Sequence, residues 1–370
     1  METRNNYIAP ARAIHPGEIL REELRERGIK QKDFARMAGV CATHLCEFIK
    51  GKRNLNEDWA VRFEKTLGIS YKSWMSLQSG YFYDLKVVEE RQAEEREAHD
   101  YETACAAMFN IREIYRVLGL SLMPCAERIA KIKKMAGFDL LRAEELRLQV
   151  SGLYKHSEKV QMDEKNMLSW LILNKIKTSA DEELIPEYQT GNALNAATEI
   201  AGMANSGLMT TRRVKECLNG YGISYIHVPK IKSAPIDAFS TMKGERPVIT
   251  VTYRYNDMDK LAFDILHELC HIDKHLGDSQ TAFIAVEDGQ YSTDPREKEA
   301  NDFARQSLIP DSLWAELLKV GCKSLSPHAI VRTIAKAAKD KGVSPSIAVA
   351  RYKHDTNWYS TSAYKSPKIS

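Results

Sequence analysis

No stretch of this 370-residue chain approaches the roughly 18 uninterrupted apolar residues that a membrane span needs. Residues Met1 to Pro16 contain no apolar core of the kind a secretory signal carries, so the expected location is the cytoplasm, with no membrane partner. There are seven cysteines, an odd number, and no CxxC pair. That argues against a disulfide framework or a cysteine-based zinc ribbon and agrees with reduced thiols. Internal repeats and low-complexity tracts are also missing. The net charge is only +3, so charge over the whole chain says nothing about nucleic acid. The excess is local: residues 1–76 hold fourteen Lys/Arg against ten Asp/Glu. What is present is ordinary globular material, 44% hydrophobic, enough for more than one core.

The pattern along the chain predicts a mainly α protein with one small α+β domain. Four segments follow: 1–82, a five-helix helix-turn-helix domain; 83–165, a helical linker or dimerisation region; 166–356, a small α+β domain with a short β-sheet; and 357–370, a polar tail, partly disordered. Residues 85–103 are charged, with few helix breakers, and read as an exposed connecting helix. From 103 to about 180 the chain reads as helical, broken at Pro124 and Gly137, with Leu168, Trp170, Leu171, Ile172 and Leu173 marking a buried helix. Ile223–Val228 and Pro247–Tyr253 are β-branched and bounded by Gly and Pro, and read as strands. Helices resume at Asp257.

In the first segment, Pro16 and Gly28 bracket a helix with Ile19, Leu20 and Leu24 on one face. A second runs from about Gln31 to Ala38, with Phe34, Ala35 and Ala38 inward, and Gly39 supplies a sharp turn. A third runs from Ala42 to Ile49, with Leu45, Phe48 and Ile49 as core. A fourth carries Trp59, Phe63 and Leu67 and stops at Gly68; a fifth begins near Ser70 and carries Trp74. Short helices at these spacings, with small Ala35 at a close crossing, suit a helix-turn-helix whose third helix enters the major groove by its N-terminal end. Its outward residues are Ala42, Thr43, His44, Glu47 and Lys50. Gln31 can reach a phosphate or a base, and Lys50, Lys52 and Arg53 meet the DNA backbone.

The run HPGEILREEL followed by QKDFARMAGVCATHLCEFIKGKRNLNEDWAVRFEKTLGISYKSWMSLQSGY resembles the DNA-binding domain of HigA-type antitoxins, within the Cro/repressor-like helix-turn-helix superfamily. The resemblance spans about His15 to Leu85. It implies a homodimer on a palindromic operator of double-stranded DNA, often with autorepression, and it carries Gln31, Thr43, Glu47 and Lys50 over as DNA-facing positions. Cys41 departs from the Ser or Pro common at the start of the recognition helix, and Glu47 is acidic where the groove is expected.

The strongest chemical signal is His267-Glu268-Leu269-Cys270-His271. Two His at i and i+4 lie one above the other on a helix, so both imidazoles can meet one Zn²⁺ per chain, with Glu268 placed to act as a base on water. Leu261, Ile265, Leu269, Ile272 and Leu276 form the apolar stripe of that helix. A catalytic zinc wants three protein ligands. The extended motif with a third His is absent, because Gly277 stands in its place, so the missing ligand is expected from a later helix. In REKEANDFARQSLIP, Arg296 to Pro310, Glu297, Ala300, Asn301, Ala304 and Leu308 recur at helical spacing, and the alanines permit close approach.

The pairing of HExxH with E-x-x-A-N-x-F-A and L-x-P resembles the ImmA/IrrE family of zinc metallopeptidases, strongly over Pro247–Pro310 and more weakly from Leu168 to Arg351. The resemblance implies that Glu297 is the third ligand. If Glu297 instead caps its helix as the fourth residue of Asp294-Pro295-Arg296-Glu297, Glu299 takes that place. Cys270 replaces the usual Gly of HELGH and is expected to crowd a strand, touch the cleft, or stand as an oxidisable thiol. The strand PVITVTY is expected to offer an edge to an extended peptide, and Tyr253, His275 and Tyr291 are candidate oxyanion donors.

Three readings follow. One is a HigA-like regulator that binds its operator and neutralises a toxin protein. The second is an active zinc endopeptidase with a protein substrate, a repressor or other regulator. The third is an interaction module that keeps the zinc and has lost turnover.

Overall fold

The structure, a computed structural model, describes residues 10–148, 163–276, 283–286, 295–321, 326–360 and 363–369. It is mainly α, with one small sheet. The chain divides into two compact units, Met1–Asp100 and Tyr101–Ser370. Among the described residues no helix is long and apolar enough to cross a membrane.

The first unit contains α1 (Pro16–Glu26), α2 (Gln31–Met37), α3 (Ala42–Ile49), α4 (Glu57–Leu67) and the start of α5 (Tyr71–Met108). Its core is Leu20, Phe34, Leu45, Phe48, Phe63 and Trp74, all fully buried. Each helix is begun or ended by a local device. The His15 ring accepts from the Gly17 N–H, Asn56 accepts from the Trp59 N–H, and Gly68 closes α4 at φ 77°. Gly17 is pressed against α3: a Cβ there would stand 2.0 Å from the Phe48 carbonyl oxygen. Ile19, expected inward, is 38% exposed, because Leu20 and Leu24 already fill the contact of α1 with the core. The fifth helix and the charged connector turn out to be one element of 38 residues. The Glu-, Arg- and Ala-rich stretch favours helix and has nothing to stop it, so α5 propagates through.

In the second unit come α6 (Ile111–Leu118), α7 (Cys125–Ala136), α8 (Glu145–Leu148), α9 (Glu164–Ala180), α10 (Asn192–Ser206) and α11 (Thr211–Gly220). Pro124 starts α7 and Gly137 ends it at φ 68°. Then follow β1 (Ser224–His227), β2 (Ile236–Lys243), β3 (Arg246–Val251), α12 (Met258–Lys274), β4 (Phe283–Val286), α13 (Pro295–Leu308), α14 (Asp311–Gly321), α15 (Pro327–Asp340) and α16 (Pro345–Thr356). The four strands run in the order β1-β3-β2-β4, with β1 parallel to β3 and the other pairs antiparallel.

Two consequences differ from expectation. The sheet gains β2, which the polar residues Asp237, Ser240 and Lys243 disguise as loop. Its signal was Gly244, at φ 64°, in the two-residue turn between Lys243 and its partner Arg246. And β3, the strand expected to offer an edge, is central, hydrogen-bonded to β1 on one side and β2 on the other. It has no edge for a peptide.

Alternation along the strands splits the sheet between two helices. On one face Trp170 of α9 meets Phe239 edge-on at 5.7 Å, and the Thr250 hydroxyl donates to the Asn174 side-chain oxygen at 2.7 Å. On the other, Ala238, Ile249 and Val251 join Leu261, Ile265 and Leu269 of α12 in one core. Lys260 of α12 reaches the buried Asp237 of β2 at 3.0 Å, tying helix to sheet. The chain's end helps as well. Met258 N–H donates to the Pro367 carbonyl at 2.9 Å, Asp259 N–H to the Ser366 hydroxyl at 3.0 Å, and Lys368 pairs with Asp257 at 2.7 Å. A tail expected to be partly disordered here caps the helix that carries the HExxH motif, through residues 366–369.

Candidate functional site

The helix α12 is buried along most of its length, and α13 packs beside it. Ala300 and Ala304, both fully buried, remove the bulk that would hold the two helices apart. Glu297 shares their face of α13, so it points into the seam, as does the His pair of α12. His267, Glu268, His271 and Glu297 are each no more than 5% exposed.

Three ligand-type atoms converge there. The His267 and His271 Nε2 atoms are 3.0 Å apart; Glu297 Oε2 is 3.2 Å from the first and Glu297 Oε1 3.4 Å from the second. A tetrahedral ion with bonds of about 2.0–2.1 Å spaces its ligands by about 3.3–3.4 Å, so the separations suit one small cation. The donor set, two imidazoles and one carboxylate, is that of a catalytic zinc. Glu299 is elsewhere. It is exposed and meets Lys274 Nζ at 2.6 Å and His275 Nε2 at 3.2 Å. Asp294, the other half of the expected cap, lies outside the described residues.

The electrostatics differ sharply between neighbours. Burial pushes the Glu268 carboxyl up to about 8, against the opposing pull of His267 and of Ser240 on β2. Neither of its oxygens closes a hydrogen bond among the described residues. A carboxyl poised near neutrality with open lone pairs can take up and return a proton at physiological pH. Burial, followed by the charges of His267, His275 and Arg296, holds His271 down at about 2. Burial also acts to lower His267, but the bond to Glu297 and the charges of Glu268, Glu297 and Asp264 lift it above the usual histidine value. One imidazole is thus kept neutral by burial, and the other is held by a carboxylate.

Asn301 Oδ1 lies 3.1 Å from His267 Nδ1, and His275 Nδ1 lies 2.9 Å from His271 Nδ1. Both ring nitrogens of His275 are therefore engaged, which removes it from the candidate oxyanion donors. Tyr253, at the end of β3, has φ 49°; its hydroxyl pairs with that of Tyr225 at 2.9 Å and its ring stacks on His227. Those contacts belong to β1, the sheet edge opposite β4, so Tyr253 is also drawn away. Tyr291 lies outside the described residues. Cys270 is fully buried, and burial pushes its thiol up to about 12. It packs inside, without the thiolate character that oxidation needs.

In the first unit, Ala42, Thr43, His44, Lys50, Lys52 and Arg53 are exposed at or just beyond α3, while Gln31 and Glu47 are half-buried. Glu47 is not a bare acid: Arg53 Nε lies 3.4 Å from its Oε2. Cys41 precedes α3, and the N–H groups of His44 and Thr43 lower its thiol below the usual value.

Residues 223–353 match the family model of the IrrE N-terminal-like domain, Peptidase_M78. Among curated proteins, Virulence-associated protein I of Dichelobacter nodosus is 37% identical over 79 residues, 21% of this chain and 71% of that protein. The uncharacterized HTH-type transcriptional regulator YddM of Escherichia coli is 27% identical over 66 residues, 18% of this chain and 70% of that one. Among solved structures, an addiction module antidote protein of a HigA family from Coxiella burnetii is 29% identical, covering 23% of this chain and 95% of its own, at a TM-score of 0.21. PA4674 from Pseudomonas aeruginosa, solved in complex with its operator DNA, is 34% identical, covering 24% and 94%, at a TM-score of 0.22.

Proposed function

From the premise that this chain belongs to the HigA-type, Cro-repressor-like helix-turn-helix regulators and carries an ImmA/IrrE-type metallopeptidase domain, we propose that it is an operator-binding regulator whose C-terminal part works on a zinc ion. Residues 1–82 serve as the DNA-binding domain, 83–165 as a connecting and dimerising region, and 166–356 as the peptidase domain. The exposure of Thr43, His44, Lys50, Lys52 and Arg53 around α3 supports contact with DNA through that helix; a dimer on a palindromic operator, autorepression and neutralisation of a toxin are further parts of this proposal, drawn from the HigA-type resemblance.

The observation that carries the metal half is the convergence of the two Nε2 atoms and the Glu297 carboxylate in a buried seam. His267, His271 and Glu297 would hold Zn²⁺, which supplies Lewis acidity toward a peptide carbonyl and toward water. Glu268 takes a proton from the attacking water as its oxygen bonds to the carbonyl carbon. The same carboxyl then hands that proton to the amide nitrogen as the C–N bond breaks. The substrate is a protein, a repressor or another regulator.

Purified protein should contain about one zinc per chain. Glu268→Ala should keep the zinc and lose cleavage of candidate regulators. Equal processing by wild type and variant would end the peptidase reading. A second reading has an observation of its own: all four groups are nearly closed to solvent, which suits a zinc that holds the domain together without turnover. Zinc without cleavage is its signature. For the DNA half, a footprint on a short palindrome, weakening steeply with salt, is expected. Folded protein that leaves DNA unprotected at moderate salt would refute it.

A further inference from the structure

Among the described residues of the first unit, two polar side chains are buried, His15 and Gln78, each no more than 4% exposed. Burying a polar group is unfavourable unless a bond or a contact requires it. Both touch the same short stretch, the link from α3 to α4. It opens where α3 ends: the Lys50 N–H donates to the Cys46 carbonyl at 3.1 Å, that of Gly51 to Phe48 at 2.9 Å and that of Lys52 to Glu47 at 2.8 Å. Gly51 turns the chain at φ 73°, and the His15 ring lies against it, 3.7 Å from where a Cβ would stand. Three residues beyond Lys52, the buried Leu55 N–H donates to Gln78 Oε1 at 2.7 Å. Gln78 comes from the face of α5 that also carries the fully buried Trp74 and, one turn on, Tyr81, whose ring meets His15 edge-on at 4.8 Å. Gln78 Nε2 closes no hydrogen bond among the described residues. A leucine would occupy similar space without stranding that nitrogen, so what the glutamine adds is an acceptor for Leu55. Between the two anchors lie Lys50, Lys52 and Arg53, all exposed.

We propose that Gln78, with His15, is a positioning residue for DNA binding, which clamps the link so that Lys50, Lys52 and Arg53 are already arrayed for the phosphates of a duplex. This inference rests on the operator-binding reading above and extends it to a buried residue. The physical reason is preorganisation. A segment held in place before binding loses less freedom on binding than one that must be ordered by the DNA. Phosphate contacts supply affinity without reading sequence, so the clamp acts equally on every duplex. It also accounts for an amide in a core otherwise filled by groups such as Leu20, Phe34 and Trp74.

The test uses the full chain and a duplex of mixed sequence at low salt, below the melting transition of every variant. His15 is left intact because it also caps α1. Gln78→Leu removes the acceptor and keeps the bulk; Gln78→Met, unbranched like glutamine, is the second version should the first fail to fold. Either should weaken binding by about 10-fold. The same change is then made in a chain already carrying Lys50→Ala, Lys52→Ala and Arg53→Ala. There the loss should shrink to less than about twofold, because the cations that the clamp serves are gone. A merely structural role would give the same loss in both backgrounds, and that result would overturn the proposal, as would unchanged binding in the otherwise wild-type chain. Amide hydrogen exchange without DNA is the second readout. Residues 50–55 should lose protection in the Gln78 variants while α4 keeps its own; unchanged protection at 50–55 would also overturn the proposal. If wild type binds no duplex at all, it is the operator-binding reading that fails, and the exchange result then decides the clamp alone.

Discussion

Replacing Gly17 with Ala adds one methyl group at the start of α1, and its effect can be worked from the contacts. The new Cβ would stand 2.0 Å from the Phe48 carbonyl oxygen, 2.7 Å from the Phe48 carbonyl carbon and 2.9 Å from His15 Nδ1. Ordinary carbon contacts lie at about 3.5 Å or beyond, so α1 and α3 would have to part by more than about 1 Å. The obstacle is helical backbone, which cannot swing aside as a side-chain tip would. Overpacking of this sort costs about 1–3 kcal/mol. Disturbing the His15 cap on the Gly17 N–H adds about 1 kcal/mol. Against this, exchanging Gly for Ala in a helix returns at most about 1 kcal/mol. The net is a loss of about 1–3 kcal/mol in the first unit, or about 4–24 °C in its melting temperature at about 4–8 °C per kcal/mol. Scanning calorimetry of the full chain reads this as a downward shift of one transition. Gly80→Ala is the internal control: it lies within α5 with nothing inside 4 Å of its would-be Cβ, and should stabilise by about 0.5–1 kcal/mol. If Gly17→Ala also raises the melting temperature, helix propensity has outweighed the clash and the reasoning about the α1–α3 contact is wrong.

Three more predictions follow from particular contacts. In chelator-treated protein, the Glu268 carboxyl is raised from 4.5 to about 8, so the folded state holds its proton more tightly than the unfolded chain does. Its contribution is complete below pH 4.5 and is lost as pH rises to 8; the gain in melting temperature from Glu268→Gln should therefore be larger at pH 8 than at pH 5, and an equal gain at both would contradict the assignment. Deleting residues 364–370 leaves the Met258 and Asp259 N–H groups without their partners at the start of α12 and should cost about 1–2 kcal/mol; an unchanged urea midpoint would show that the tail does not cap α12 in solution. Lys50→Ala should weaken binding to all DNA sequences about equally and reduce the slope of log affinity against log salt by about 0.9; loss confined to the specific operator would instead make Lys50 a base reader.

Much of the site could be read along the chain because its parts are local. His267 and His271 are one turn apart on a helix whose apolar stripe, Leu261 to Leu276, is buried as its spacing requires. The recognition helix has the bounds that Ala42 to Ile49 suggested. Even the choice between Glu297 and Glu299 had a signal: Glu297, Ala300, Ala304 and Leu308 fall on one helical face, and Glu299 falls off it. Other features were hidden. Strand β2 is buried between helices while carrying Asp237 and Ser240, so alternation of apolar and polar residues fails there. The central position of β3 depends on two partners that arrive from either side of it in sequence.

What the sequence determined is what one or two helical turns can express: the helix-turn-helix, the paired imidazoles with their neighbouring carboxyl, and the small residues of α13. Short-range spacing carries that information, because a residue and its neighbours three or four positions on share a face however the rest of the chain folds. What only the tertiary structure decided is which groups from separate helices meet. The seam between α12 and α13 brings Glu297 within 3.4 Å of both imidazoles, leaves Glu299 to hold His275, and buries Glu268 far enough to raise its carboxyl. Proximity across elements and exclusion of water are properties of packing, and no spacing along the chain contains them.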